Sequence, residues 1–327
     1  MAEKIVHGIH RLDIPLPRNP LKNLNSYVIC SPEQNLLIDT GFNTRTCLNA
    51  MMAELDSLSI DLDKTDIFIT HMHADHFGLA AELISDSRKI YMSTVDAVFA
   101  ELLGVPERRD ALIADNVGEG YPIREFLRFT DSWQAKGMFS AKTQEITRLE
   151  DGDILEYGNY RFECILTPGH TPGHMCLYCS ELKLMFLGDH VLFDITPNIV
   201  RWPNYDNALN EYLLNLDKIS KYDIRVALPS HRAAKGSVAK RAATLKDHHK
   251  RRLSETEDII RSTPGLTAYQ IAGKMHWDIR FESWEQFPPS QKWFAVGETL
   301  AHIDYLLAAD KVVSKETDSV RRYYTGG

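Results

Sequence analysis

Four potential metal ligands lie within one short stretch of the sequence, T-H-M-H-A-D-H-F-G at residues 70–78. The stretch directly follows a strand-like run, so an extended backbone would place His71 and His73 on the same face. A turn into the next helix would then let Asp75 and His76 point back from the first helical turn. Imidazole nitrogen and carboxylate oxygen suit zinc, and also iron or manganese, better than calcium or magnesium. A histidine-rich polar turn is the alternative interpretation.

Three further segments each present a histidine or an aspartate where a strand-like run ends. The segment T-P-G-H-T-P-G-H at 167–174 turns sharply at proline and glycine and presents His170 and His174. Asp189 follows an apolar run in G-D-H, and His231 closes another run in L-P-S-H. A single histidine after a strand is more often a surface residue than a ligand. Together, however, the segments place every candidate at a strand end, where α/β proteins build their active sites.

Strand-like and helical patterns alternate around these motifs. Apolar or alternating runs predict strands, and apolar residues at intervals of three and four predict helices. The predicted strands are 25–30, 36–38, 66–70, 160–166, 176–179, 182–187 and 225–228, and the clearest helices are 44–58 and 79–84. From 93 to 147 the pattern is mostly helical, an insertion suited to a lid, a substrate wall, plain packing or a homodimer contact. The order of elements predicts an α/β sandwich.

The chain is expected to divide into a catalytic domain, residues 1–235, and a small C-terminal domain, residues 236–327. The catalytic domain contains every candidate ligand and the helical insertion at about 93–147. After it come a long charged helix, two shorter helices and an alternating end that includes Val312, Val320 and Tyr323. Helices followed by a hairpin predict a small helical, winged-helix-like domain.

The order of the motifs, HxHxDH, TPGHTPGH, GDH and PSH, resembles the metallo-β-lactamase superfamily over about residues 5–235, and more closely its glyoxalase II and lactonase-like hydrolases. The resemblance implies an αββα sandwich that holds two divalent metal ions at one edge, zinc first, with iron or manganese as alternatives. It also implies the ligands: His71, His73 and His170 for the first ion, Asp75, His76 and His231 for the second, and Asp189 bridging the two.

The same resemblance implies a mechanism and roles for neighbouring residues. Two ions close together would lower the pKa of a shared water, and the bridging hydroxide would attack a small ester, thioester or lactone. Asp75 is the expected general acid/base. His174 is expected to form hydrogen bonds rather than bind metal, His190 to be structural, and Asp39 to support the metal loop from behind.

A single-strand endoribonuclease is the main alternative function, because the C-terminal segment is also similar to that of an animal mitochondrial enzyme of this kind. The basic segment 246–252 would follow a nucleic-acid backbone. The helix at 293–309, however, carries Glu298 and Asp304, whose charges would repel phosphates. A small-molecule substrate is therefore favoured over nucleic acid. A non-catalytic metal-binding protein is the alternative of another class, although structural zinc sites usually close with four ligands.

The composition argues against several other classes of protein. The sequence has 37 Lys and Arg against 45 Asp and Glu, a net charge of −8, which gives no general reason to bind nucleic acid or an anionic membrane. It shows neither a leader-like N-terminus nor a run of about 18 apolar residues, so a cytoplasmic protein without membrane spans is expected. The five cysteines are odd in number and scattered, which favours reduced thiols over disulfides.

Overall fold

The computed structural model describes residues 2–102, 106–132, 145–278 and 281–327. Contacts within the chain divide it into two compact units, each built from separate stretches of sequence. The first unit contains the described residues of 1–101, 134–197 and 215–242, and the second contains those of 102–133, 198–214 and 243–327. The expected domain boundary at residue 235 stays a prediction.

Two β-sheets form the centre of the first unit. The larger sheet has seven strands that neighbour one another in sequence order: β1 (Glu3–Val6), β2 (Ile9–Pro15), β3 (Asn23–Ile29), β4 (Asn35–Ile38), β5 (Thr65–Phe68), β6 (Ile90–Ser93) and β7 (Ile146–Leu149). The smaller sheet has five: β8 (Ile154–Tyr157), β9 (Tyr160–Leu166), β10 (Met175–Cys179), β11 (Leu184–Gly188) and β12 (Val226–Pro229). Strands β4 to β7 are parallel, and β11 and β12 form a parallel pair.

One apolar core joins the two sheets. It includes Tyr27, Ile38 and Phe68 from the larger sheet and Phe162 and Phe186 from the smaller one. The rings of Tyr27 and Phe186 meet edge to face with centroids 5.3 Å apart. Strands β4 and β5 are buried at every residue, as expected for parallel strands that are covered on both faces.

Four helices follow strands of the larger sheet: α1 (Arg45–Ser57), α2 (Ala74–Phe77), α3 (Ala80–Leu83) and α4 (Thr94–Leu102). Helix α1 begins after Thr44, whose side chain accepts a hydrogen bond from the backbone N–H of Cys47. Its buried residues, Cys47, Met51 and Leu55, recur at helical intervals, and the helix packs against β2. Between β5 and α2 lie the candidate ligands His71 and His73, and α2 itself carries Asp75 and His76.

The second unit is mostly helical and ends in a hairpin. The remaining elements are α5 (Pro106–Gly118), α6 (Ile123–Ser132), α7 (Ala208–Ile219), α8 (Val238–Ser262), α9 (Ala268–Ala272), α10 (Pro289–Ala308), β13 (Val312–Thr317) and β14 (Val320–Thr325). Of these, the end of α7 and the start of α8 belong to the first unit. Its core includes Tyr121, Phe126, Ile271, Leu300 and Tyr323. The winged-helix-like description of the C-terminal segment stays a prediction.

The helical insertion expected at 93–147 contains α4, α5 and α6, whereas Ser93 still belongs to β6 and residues 146–147 already belong to β7. Residues 103–105 and 133–144 of that insertion lie outside the described residues. Within the described ranges, no helix combines the length and the apolar character that crossing a membrane requires.

Candidate metal centre

The turn after β5 is held in place by a buried carboxylate from the neighbouring strand. Asp39, directly after β4, accepts hydrogen bonds from the backbone N–H of Thr70 at 2.9 Å and from the Thr70 hydroxyl at 2.8 Å. It also accepts one from His76 Nδ1 at 2.7 Å, which leaves His76 Nε2 as the nitrogen that could bind a metal ion. The expected supporting role of Asp39 agrees with these contacts.

The structure brings all seven candidate ligands together. They form three overlapping groups in which the ligand atoms lie within 4.8 Å of one another: His71, His73 and His170; His71, His76 and Asp189; and Asp75, His76 and His231. The groups draw on the turns after β5, β9, β11 and β12. Four strand ends that are distant in sequence therefore converge on one place.

Several buried ligand atoms at this place form no hydrogen bond within the described part of the chain. His76 Nε2, Asp189 Oδ1 and His231 Nε2 are inaccessible to solvent and have no hydrogen-bond partner among the described residues. Leaving one such group unsatisfied costs about 1–3 kcal/mol, and more if it is charged. Because the atoms are imidazole nitrogens and a carboxylate oxygen that face one another, a divalent cation such as zinc fits the donor set.

The charges around these atoms favour a cation. Burial by itself would lower the pKa of His76, but Asp39, Asp75 and Asp189 outweigh it and raise that pKa to about 10. Burial would raise the pKa of Asp75, yet His76 and His231 outweigh it and hold that pKa below its ordinary value. The carboxylates thus stabilise positive charge in their midst, whether it is a proton on histidine or a metal ion.

The pKa of His71 is shifted in the opposite direction from that of His76. Burial is the largest cause that holds its pKa well below the ordinary value, and neighbouring histidines add to the effect. Its ring lies close to that of His170, with centroids 4.8 Å apart, and its Nε2 lies 3.0 Å from His73 Nδ1. A neutral imidazole is the form that binds metal, so this group of three histidines is prepared for ligation.

The sequence model of the Metallo-beta-lactamase superfamily matches residues 20–231, which include all seven candidate ligands. The chain belongs to the metallo-β-lactamase superfamily. The match confirms the family resemblance and the α/β fold class, and it is consistent with a hydrolase. The closer assignment to the glyoxalase II and lactonase-like subgroup stays a prediction.

Individual members of the superfamily resemble the chain to different extents. An atrochrysone carboxyl ACP thioesterase from Emericella nidulans is 24% identical over 66% of this chain and 53% of its own length. A β-lactamase-like protein 2 homolog from Caenorhabditis elegans is 22% identical over 84% of this chain and 79% of its own. The chain thus spans about half the length of the fungal relative.

Likeness to a solved structure extends over the whole molecule. The crystal structure of a metallo-β-lactamase family protein from Thermus thermophilus covers 98% of this chain and 100% of its own, with a TM-score of 0.83 and 26% identity. The structural similarity therefore includes the second unit, much of which lies outside the residues 20–231 that match the family's sequence model.

His174, the second histidine of the superfamily's TPGHTPGH motif in this chain, belongs to none of the three ligand groups. Its Nε2 accepts a hydrogen bond from the backbone N–H of Asp189 at 3.1 Å, and its Nδ1 lies 2.8 Å from the Thr167 hydroxyl. Gly188 has a φ of +51°, and a Cβ there would collide with His174 Nε2. Glycine is thus required for His174 to hold Asp189. His190 also lies outside the groups, and burial lowers its pKa to about 4.

Sequence analysis missed one residue of this metallo-β-lactamase site. Asp96, in the first turn of α4, is fully buried and accepts hydrogen bonds from the turns that carry His71 and His170. Burial raises its pKa to about 6, although these hydrogen bonds oppose the shift. The local signal was Ser93, three residues earlier, whose hydroxyl accepts from the backbone N–H of Asp96 at 3.2 Å in the manner of a helix cap. That signal predicts a helix start and gives no indication of the longer contacts.

Proposed function

We propose that the seven side chains hold two divalent metal ions, with which the chain hydrolyses a small ester, thioester or lactone. Zinc suits the nitrogen and oxygen donors, and iron or manganese would also suit them. The ligand groups overlap, since His71 belongs to the first two and His76 to the last two. Such overlap supports two neighbouring ions rather than one isolated ion.

The position of Asp189 carries the proposal. Its Oδ2 lies 3.6 Å from His170 Nε2 in the first group, and its Oδ1 lies 3.5 Å from His231 Nε2, a member of the third. A carboxylate whose two oxygens face different ligand sets is suited to bridge two cations. Because His174 holds the backbone of Asp189, the fold itself sets this orientation.

Divalent cations in such a site would lower the pKa of water and polarise the carbonyl oxygen of the substrate. The protein supplies the proton transfer. The Asp75 carboxylate lies 3.4 Å from His231 Nε2 and so stands beside the proposed ions. From there it would accept the proton of the attacking water and return it to the departing alkoxide or thiolate, which makes Asp75 the proposed general acid/base.

A thioester is the first substrate to test. The fungal relative bears the name of a thioesterase, and that activity extends to this chain only as part of the proposal. The expected small-molecule substrate is also consistent with a superfamily whose members attack electrophilic carbonyl groups, but the fold alone does not choose among them.

The contacts of the basic segment 246–252 weaken the endoribonuclease alternative. Arg252 is only 7% exposed, packs over the Trp277 ring at 4.2 Å and pairs with Glu255 and Glu298. It is therefore unavailable to a phosphate backbone. The expected acidic face of α10 also needs correction, since Glu298 pairs with Arg252 and Asp304 pairs with Arg201. Both sets of charges contribute to packing within the second unit, so the acidic residues of α10 no longer argue against nucleic acid, while the burial of Arg252 still does.

The substrate experiment uses protein reconstituted with zinc or manganese and compares turnover of a thioester, a lactone and a phosphodiester, with Asp189→Ala as the blank. Preference for the carboxyl substrates over the blank supports the proposal. Preference for the phosphodiester would favour the nuclease instead. Metal-loaded protein without turnover of any of the three would revive the non-catalytic metal-binding alternative.

Metal content provides a second test with a neighbouring control. Asp189→Ala removes the proposed bridge and should cost both ions much of their affinity, whereas His190→Ala should leave the metal content nearly intact. His190→Gln serves if the alanine variant is poorly folded. Equal metal loss in the Asp189 and His190 variants would contradict the ligand assignment.

A further inference from the structure

Asp96 connects two turns that are far apart in the sequence. Its Oδ2 accepts hydrogen bonds from the backbone N–H of Met72 at 2.9 Å and from the Thr171 hydroxyl at 2.7 Å. Its Oδ1 accepts one from the backbone N–H of Gly173 at 2.6 Å. Met72 stands between His71 and His73, and Thr171 directly follows His170. One buried carboxylate therefore binds both turns that supply the first ligand group.

Gly173 packs closely against the start of α4. A Cβ at Gly173 would collide with Ser93 Oγ and with the backbone nitrogen of Asp96. The Ser93 hydroxyl donates to the carbonyl of Gly173 at 2.5 Å, so Ser93 and Asp96 hold both sides of this glycine. The start of α4 is thereby fixed against the His170 turn.

Asp39 shows what a carboxylate in this position does for the other ligands. It accepts hydrogen bonds from Thr70, from His76 and from Ser230, which precedes His231. Its contacts thus hold the side of the centre that includes His76 and His231. Asp96 makes the equivalent contacts for the side that includes His71, His73 and His170, through the backbone and a hydroxyl instead of a ligand ring.

We propose that Asp96 is a positioning residue for the first ligand group, where it holds the His71–His73 turn and the His170 turn at the separation that lets the three imidazoles share one ion. The inference rests on the proposed metal centre. It assigns to a residue of α4 a selective effect on one of the two metal positions.

Asp96→Asn is the direct test. The amide group must replace either Oδ1, where it faces the N–H of Gly173, or Oδ2, where it faces the N–H of Met72. In both orientations a donor opposes a donor, so the two turns should separate. Loss of a partner that orients metal ligands typically lowers metal affinity about 10- to 100-fold. We expect a loss of this size at the three-histidine position and a much smaller change at the other.

Asp66→Asn is the matched control. Asp66 is also buried in the first unit and accepts hydrogen bonds from the backbone N–H of Lys89 at 2.9 Å and from the Tyr157 hydroxyl at 2.6 Å. It lies near the start of β5, whereas His71 follows the end of that strand. The same substitution there should alter stability without altering the affinity of either metal position.

Cobalt(II) titration with a competing chelator measures the two affinities, and the visible absorption bands report the geometry of each position. Thr171→Val, with Thr171→Ser as its conservative counterpart, covers the case that Asp96→Asn does not fold. Valine should weaken the three-histidine position and serine should restore it. Wild-type protein that binds no cobalt would refute the metal centre itself. Two normal affinities in wild type, unchanged in the Asp96 and Thr171 variants, would overturn the role of Asp96 alone.

Discussion

Buried histidines occur in both units, but their ring nitrogens are satisfied in different ways. In the first unit, His76 Nδ1 donates to Asp39 and His231 Nδ1 donates to the Asn23 carbonyl at 2.8 Å. Each ring then points its Nε2 at carboxylates, with Asp189 Oδ1 3.5–3.8 Å away. These histidines have an anchored side and a side that faces acidic groups.

In the second unit, His249 and His302 face each other instead. His302 Nδ1 donates to the Glu298 carbonyl at 2.7 Å, so its Nε2 accepts from His249 Nδ1 at 3.3 Å. The carboxylate of Glu298 is engaged by Arg252. His249 Nε2 has no hydrogen-bond partner among the described residues. Even so, the described residues of the second unit contain no group of three or more potential metal ligands. Burial and a bare nitrogen are therefore insufficient, and convergence with carboxylates distinguishes a metal centre.

The largest expected difference between the two regions comes from one substitution made in each. His231→Ala removes a proposed ligand and should reduce turnover about 1000-fold, since Lewis-acid stabilisation amounts to several kcal/mol. His302→Ala should leave turnover per folded molecule near the wild-type value while lowering the free energy of unfolding by about 2–4 kcal/mol through a cavity and a lost hydrogen bond. Steady-state kinetics and urea unfolding measure the two effects. Similar loss of turnover in both variants would remove the distinction.

Removal of the metal should lower the stability of the folded protein, by a somewhat smaller free energy than the loss of transition-state stabilisation in His231→Ala. At a free metal concentration of 100 times Kd, one bound ion stabilises the folded state by about 2.7 kcal/mol, and a chelator abolishes this contribution. Thermal unfolding of wild type and His302→Ala should therefore shift downward with chelator, whereas Asp189→Ala should not respond. A chelator response that persists in Asp189→Ala would locate the stabilising ion elsewhere.

The histidine pair predicts a dependence of stability on pH. Burial lowers the pKa of His302 to about 3 and holds that of His249 well below the ordinary value of 6.5. The folded state keeps both rings neutral, and the unfolded chain takes up protons below pH 6.5. Stability is thus complete above pH 6.5 and falls as pH decreases towards the folded pKa, by about 1.4 kcal/mol per pH unit for each histidine.

The check is urea unfolding of metal-loaded protein between pH 7.5 and 5.5. Above pH 6.5 the two proteins should have similar slopes of stability against pH, and below pH 6.5 His302→Ala should reduce the slope by an amount that approaches about 1.4 kcal/mol per pH unit, the contribution of one proton. Because the metal ligands are unchanged, their contribution cancels in the comparison. Identical slopes below pH 6.5 in the two proteins would show that His302 is protonated in the folded state.

The smallest effect is expected at Arg251, beside the buried Arg252. Arg251 is exposed, so Arg251→Ala should change the free energy of unfolding by less than about 0.5 kcal/mol and leave turnover of every substrate unchanged. If the second unit instead bound a nucleic-acid backbone here, Arg251→Ala would lose one phosphate contact. The dependence of phosphodiester turnover on salt concentration would then be weaker in the variant than in wild type, by about one unit of slope. That outcome would give this region a binding role.

The candidate ligands were predictable from the sequence because each one stands where an apolar run meets a turn. The run 66–70 was expected to be a strand through Thr70, whereas β5 ends at Phe68, and the difference does not displace His71. The prediction 160–166 coincides with β9. Turn chemistry and strand periodicity are local properties of the sequence, so they can be recognised without knowledge of the remaining fold.

Contacts between distant segments could not be predicted in this way. Asp96 meets Gly173 from 77 residues away, and Arg201 meets Asp304 from 103 residues away. Helical spacing suggested an exposed acidic face on α10, but it carried no information about arginines supplied by other segments. For the same reason, sequence analysis did not anticipate that the second unit would include residues 198–214.

Glu119 of the second unit has consequences for the order of folding during synthesis. Its buried carboxylate accepts hydrogen bonds from Arg201 at 2.6 Å, Arg321 at 2.5 Å and the Tyr323 hydroxyl at 2.6 Å. A buried carboxylate without its cationic partners is strongly destabilising. Translation delivers Arg321 and Tyr323 more than 200 residues after Glu119. During translation, we therefore expect the sheets of the first unit to form before the C-terminal hairpin, β13 and β14, has been synthesised and the second unit can fold.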